Sequence, residues 1–193
     1  MGASFKEQWP PVLAGVIKAS GKASVKALPN QMRSAAPATD IRFSFDETNP
    51  RAVQWVQEHA LALVTDLSET TRNDIRDLID EAFDGEFDTG DLANEIEALI
   101  GDADRAETIA RTETMRASNE GQIEAWQQAA DNGLLTGNEQ TEWITTPDDR
   151  LCPICEPLDG QTTALGGTFE VDGDRVSSPP AHPRCRCTVG LAV

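Results

Sequence analysis

Cys152-Pro153-Ile154-Cys155 and, 26 residues later, His182-Pro183-Arg184-Cys185-Arg186-Cys187 hold every cysteine of the chain and one of its two histidines. A Cys-x-x-Cys pair reaches one metal ion from two sides of a tight turn, and His-x-x-Cys adds a second pair of ligands, the donor set of a tetrahedral zinc site. The candidate ligands are Cys152, Cys155, His182, Cys185 and Cys187. Four of the five are thiols, which points to a structural zinc closed by four protein groups rather than a catalytic one that keeps a position for water. Cys185 and Cys187 are two apart, so on an extended strand they would face opposite ways and one would stand outside the coordination sphere. The expected set is Cys152 and Cys155 with two of His182, Cys185 and Cys187. Two alternatives stay open: a pair of disulfides, which an even cysteine count also suits, and a cluster of free thiols. The opening Met1-Gly2-Ala3-Ser4-Phe5-Lys6 has no apolar signal segment, which favours synthesis in a reducing cytosol and so the metal.

Other chemistry is sparse. Glu113 falls on the apolar helical stripe of Ala106, Ile109, Ala110 and Ala117, and a carboxylate there needs a partner. Arg111 points about 200° away from it on the same helix, whereas Arg116, three residues on, can reach it. Glu113 is therefore read as a paired structural carboxylate in preference to a general acid or base. His182 reads as a ligand or turn-packing residue, and His59 as filler within a helix. Asp148, Asp149, Asp172 and Asp174 lack the twelve-residue calcium loop with its terminal Glu. There is no Gly-rich phosphate loop, no Gly-x-Ser-x-Gly elbow and no second tail histidine for a His-Asn-His nuclease. No catalytic residue is expected, and no cofactor beyond zinc.

The elements that must position these ligands fall into three parts of the 193-residue chain. Residues 1–40 are rich in Ala, Ser, Lys and Pro and read as an arm that orders on a partner, with a plain disordered end as the alternative. Ile41, Phe43 and Phe45 then alternate as a brief strand. Residues 41–137 form a body of about four helices: one from Pro50 to Leu67, one capped by Ser68 with Ile75, Leu78, Ile79, Ala82 and Phe83 inside, and one capped by Thr89 with Leu92, Ile96, Leu99 and Ile100 inside. The fourth is long, from Asp102 to about Asp131, with Gly121 as a weak point. Residues 138–193 form a β-rich module with strands near Trp143, Thr162, Phe169 to Val171 and Cys187 to Val193, packed on the body. The class is α+β. The module is too poor in apolar residues to hold itself together, so a bound metal would contribute its folding free energy.

Net charge sets limits on partners. The chain carries −17, and residues 1–40 hold five Lys or Arg against two acids while the remainder holds eleven against thirty-one. An acidic body repels phosphate, which excludes sequence-specific nucleic-acid binding, and no apolar run is long enough to span a bilayer. The expected partner is protein.

From about Phe43 to its end the chain resembles the phage Mu F-like minor head proteins, or head morphogenesis proteins. The residues that carry the resemblance are Arg105-Ala106-Glu107-Thr108-Ile109-Ala110-Arg111-Thr112-Glu113, Asn119-Glu120-Gly121, Trp143, Asp149, Cys152-Pro153-Ile154-Cys155, Leu158-Asp159-Gly160 and Pro179-Pro180-Ala181-His182-Pro183-Arg184-Cys185-Arg186-Cys187, in matching order and spacing. The resemblance implies a minor capsid protein made in the bacterial host cytoplasm and incorporated into the virion, in the head interior or portal region. It also implies binding to portal or major capsid protein during head assembly and a part in DNA exit. Two rivals stand beside this reading. Mu F-like domains are distantly similar to ADP-ribosyltransferases, whose Arg, Ser or Thr, and Glu come from separate elements; here Arg111, Thr112 and Glu113 are adjacent and diverge, so the expectation is no enzyme. The other rival is an assembly chaperone absent from the mature particle.

Overall fold

The computed structural model describes residues 22–23, 51, 67–83, 88–136 and 138–192. Among these are three α-helices, α1 (Glu69–Phe83), α2 (Thr89–Ile100) and α3 (Ala103–Asp131). Five strands follow, β1 (Gln140–Ile144), β2 (Thr162–Ala164), β3 (Phe169–Val171), β4 (Asp174–Val176) and β5 (Thr188–Ala192), with a 3-10 turn at Glu156–Leu158. The class is α+β, with three helices described where about four were expected. The helix expected from Pro50 lies outside the described residues except for Arg51, which is helical, and Leu67 at its far end. The arm, apart from Lys22 and Ala23, and the strand at Ile41 to Phe45 also lie outside them. Among the described residues no helix is long and apolar enough to cross a membrane.

Local chemistry sets the helix ends. Ser68 Oγ accepts the N–H of Thr71 at 3.1 Å and opens α1. The cap of α2 is Asp88 and not Thr89: Asp88 Oδ1 accepts from Gly90 and Asp91 at 2.7 and 2.9 Å, while Asp91 Oδ2 accepts the Asp88 N–H at 3.2 Å. This reciprocal box satisfies three amides at once, which a Thr89 hydroxyl one position later would not. Gly101 ends α2 at φ 70, and Asp102 caps α3 by accepting the Arg105 N–H at 3.0 Å. Helix α3 runs unbroken through the buried Gly121, where a weak point was expected.

Helix α3 contributes to two cores. Its first half, through Ala106, Ile109 and Ala110, packs with Ile75 and Ile79 of α1 and Leu92 and Ile96 of α2. Leu99, expected inside, is 44% exposed in the last turn of α2, where the chain turns away at Gly101. The second half of α3, through Ile123, Trp126 and Ala129, packs with Trp143, Leu158, Phe169, Val171, Val189 and three of the cysteines. Trp143 and Phe169 meet edge to face at 5.3 Å and 77°. The strands make a three-stranded antiparallel sheet in the order β2-β1-β5 and a β3-β4 hairpin. The hairpin turns at Asp172 and Gly173, both at positive φ (51 and 90), as a two-residue turn of this kind requires.

Between the two cores α3 buries polar groups. Arg116 donates to Glu113 at 3.2 Å with both side chains nearly fully buried, and Glu124 receives Gln128 at 3.1 Å and Arg51 at 3.4 Å. Glu120 lies one turn before Glu124. Burial, reinforced by the charge of Glu124 and opposed by a hydrogen bond from Ser178, pushes its carboxyl up to about 8. Glu120 Oε2 has no partner.

Two outcomes follow from this stripe. Replacing Glu113 by Ala removes a buried charged partner of Arg116 and should cost about 3 kcal/mol, whereas Glu113→Gln keeps an acceptor and should cost no more than about 1–2 kcal/mol in denaturant titrations. For Glu120 the folded pKa of about 8 exceeds the ordinary 4.5, so between those values the folded chain keeps a proton that the unfolded chain has lost. Its contribution to stability therefore falls as pH rises from about 4.5 to about 8. The Glu120→Gln variant should lose that slope, gaining on the parent more at pH 8 than at pH 5; a gap that narrows with rising pH would contradict the assignment.

Candidate metal centre

The Cys152-Pro153-Ile154-Cys155 segment forms a turn because the N–H groups of Cys155 and Glu156 both return to the Cys152 carbonyl, at 3.1 and 3.0 Å. The same fold points the Cys155 N–H at the Cys152 sulfur, 3.3 Å away. Burial disfavours the Cys152 thiolate, but hydrogen bonds from Cys155 and Ile154 outweigh it and the net shift is downward. The second segment turns at Pro183 and Arg184: the Cys185 N–H bonds to the His182 carbonyl at 3.2 Å, and Arg184 sits at φ 63. Strand β5 begins only at Thr188.

That turn overrides the expectation that Cys185 and Cys187 diverge. They precede the ladder, so the alternation of a strand does not apply to them, and both sulfurs come within 4.8 Å of Cys155 and of each other. His182 Nε2 lies 3.1 Å from the Cys152 sulfur and 3.2 Å from that of Cys155, and the Cys155 and Cys185 sulfurs are 3.7 Å apart. All five candidate ligands thus meet in two overlapping clusters, Cys152-Cys155-His182 and Cys155-Cys185-Cys187, with Cys155 in both. All four cysteines are free thiols. His182 Nδ1 faces the Pro183 carbonyl at 2.8 Å. A carbonyl only accepts, so Nδ1 donates to it, and Nε2 is the nitrogen that faces the sulfurs and that a metal would take.

The thiols differ electrostatically. A hydrogen bond from Cys187, with further ones from backbone amides, draws Cys185 down to about 5 against the pull of burial, whereas burial and neighbouring sulfurs push Cys155 up to about 12. Cys187 is raised further still, by Cys185 first and then by burial. Burial lowers the His182 pKa, but the Pro183 carbonyl and the Cys152 and Cys185 sulfurs outweigh it and raise it overall. Cys152 and Cys185 are thus shifted down and Cys155 and Cys187 up, and the cluster could hold a metal by giving up its protons to it.

A cavity of about 240 Å³ opens beside the sulfurs, walled also by Arg150, Arg184 and Arg186. Arg186 binds Asp148 through both terminal nitrogens at 2.6 Å, holding that carboxyl well below the usual range. Arg184 donates to Thr108 Oγ1 at 2.7 Å and to the Asp104 carbonyl at 3.4 Å. Asp172 and Asp174 stand apart from the sulfurs, at the β3-β4 tip. Arg111 is two-thirds exposed and pairs with Glu107 at 2.7 Å, while Glu113 is buried against Arg116. Thr112 turns to the ligand loop, where it accepts the Arg184 N–H at 3.2 Å. Sequence reasoning missed this role of Thr112, and that of Asn119 described below, because both partners lie about seventy residues away.

The family described as phage Mu protein F like protein matches residues 73–190. The chain belongs to this family. The matched segment begins inside α1, ends inside β5 and includes all five candidate ligands. No curated protein and no solved structure matches the chain.

Proposed function

We propose that the protein is a minor head component of a tailed phage, acting in head morphogenesis by binding portal or major capsid protein, with zinc clamping its C-terminal module. The observation that carries the head role is the family match across residues 73–190, most of the described structure. Charge supports a protein partner: the chain carries −17, which opposes association with nucleic-acid phosphates. Residues 1–40, with five Lys or Arg against two acids, are the proposed binding arm, and the virion is the proposed destination.

The donor set fits zinc. Ligand distances of about 2.3 Å to sulfur and about 2.0–2.1 Å to nitrogen give tetrahedral edges of about 3.8 Å between sulfurs and about 3.6 Å between sulfur and nitrogen. The Cys155–Cys185 separation of 3.7 Å already matches, and the two contacts to His182, 3.1 and 3.2 Å, need to open by a few tenths of an ångström. Cys152, Cys155, His182 and Cys185 would hold the ion, and Cys187 is the surplus thiol. Zinc supplies no redox chemistry there; it would join the Cys152 turn to the loop that leads into β5.

Protein purified under reducing conditions should contain one zinc per chain. Cys152→Ser with Cys155→Ser should abolish it and loosen the β module together with the second half of α3, whose core partners lie in that module. The α1-α2 core should persist in amide exchange. A metal-free parent chain, or one with two disulfides, contradicts the clamp.

The head role is tested by retaining portal or major capsid protein of the same phage on the purified chain, and by finding the chain in purified heads. Removal of residues 1–40 should abolish retention without shifting the melting temperature of the rest. If neither protein is retained and mature heads lack the chain, the structural reading fails. Presence in procapsids alone would make it a chaperone, and NAD cleavage by the purified chain an enzyme.

A further inference from the structure

Two uncharged side chains of α3 fasten the backbone that carries three of the five candidate ligands. Asn119, 1% exposed, donates from Nδ2 to the carbonyls of Pro179 at 3.1 Å and Cys187 at 3.3 Å. Its Oδ1 accepts the Thr188 hydroxyl at 2.8 Å and the Val189 N–H at 3.1 Å. A side-chain amide has two donors and two acceptor lone pairs, so Asn119 is used in full. Seven residues earlier, two turns along the same helix face, Thr112 Oγ1 accepts the N–H of Arg184 at 3.2 Å. Arg184 lies between His182 and Cys185 and has the positive φ of 63 that turns one ligand toward the other.

The ligand loop is thus pinned near its middle by Thr112 and at both ends by Asn119. Ordering a loop costs conformational entropy at every residue, and His182, Cys185 and Cys187 can act together only once that cost is met. The chemistry at 119 is specific. Aspartate has the same shape, but it would set a carboxylate oxygen against the Pro179 and Cys187 carbonyls, replacing two attractions by two repulsions.

We propose that Asn119 and Thr112 are positioning residues of the metal centre, acting through the loop backbone, so that metal capture is coupled to docking of the loop on α3. This rests on the metal-binding reading above. Within it, α3 supplies anchors and no ligand, and the loop fastened to it brings His182, Cys185 and Cys187 to the turn that carries Cys152 and Cys155.

The test titrates the full chain and its variants with Co²⁺, reading the visible bands that report ligand type and geometry, and follows zinc loss to a chromophoric chelator. Asn119→Asp should weaken Co²⁺ binding about 10- to 100-fold and change the band pattern. Thr112→Val, which keeps the side-chain shape, should weaken it about fivefold and speed zinc loss in proportion. The α1-α2 core should keep its protection in both. Variants that melt earlier yet bind Co²⁺ with unchanged affinity and spectrum would show a merely structural role and overturn the proposal. Should Asn119→Asp fail to fold, Thr112→Val decides alone: parental affinity and zinc-loss rate would overturn it. A parent chain that takes up no metal removes the metal reading and this one together, whereas a binding parent with indistinguishable variants removes only this one.

Discussion

Helix α3 is buried along nearly its whole length, yet it is not an apolar helix. Thr112, Glu113, Arg116, Asn119, Glu120, Glu124 and Gln128 are all inside. Each such group costs roughly 1–3 kcal/mol if it enters the interior without a partner, so the helix is stable only when other parts of the chain meet it. Several of the partners are remote: Arg51 for Glu124, Ser178 for Glu120, Pro179, Cys187, Thr188 and Val189 for Asn119, and Arg184 for Thr112. The arrangement of the C-terminal third is set by this need.

The same dependence runs the other way. Strands of three to five residues offer too little surface for an independent core, and the core they share is completed by Ile123, Trp126 and Ala129 of α3. Cys155, Cys185 and Cys187 belong to that core too. Ligand sulfurs that pack against Trp143 and Val189 cannot be rearranged without disturbing the sheet. An ion bound there would act on folding directly, since its binding free energy would appear as stability of the whole second core.

What could be read from the sequence was whatever depended on near neighbours. The Cys-x-x-Cys turn, the ends of α3 and the strand at Trp143 are local, and they stand where near neighbours put them. The cap of α2 was misplaced by one residue because Asp88 and Thr89 are both good caps, and the choice turns on the box made with Asp91. Cys185 and Cys187 lie before β5 begins at Thr188, so strand alternation does not govern where their sulfurs point. Asn119 was visible only as part of a motif. Its role depends on carbonyls at 179 and 187, and no periodicity reports a contact across such a separation.

Charge divides the molecule in a way that composition alone does not reveal. Glu69, Asp74, Asp77, Asp91, Glu95, Glu97, Asp104 and Glu107 are exposed on the helices. Arg150, Arg184 and Arg186, by contrast, line the cavity at the sulfurs. A divalent ion with three thiolates and an imidazole carries a net charge of about −1, which a chain already at −17 would accommodate poorly without nearby cations. Two of these arginines alternate with the ligands, at 184 and 186, so the motif that supplies the sulfurs also supplies their counter-charge. Asp148 engages Arg186 and lies 3.6 Å from Arg150, whereas Arg184 meets neutral oxygens of α3. Arg186 is the arginine whose charge meets that of a sulfur, Cys187, while Arg184 holds the loop, with its side chain and its backbone both bound to α3.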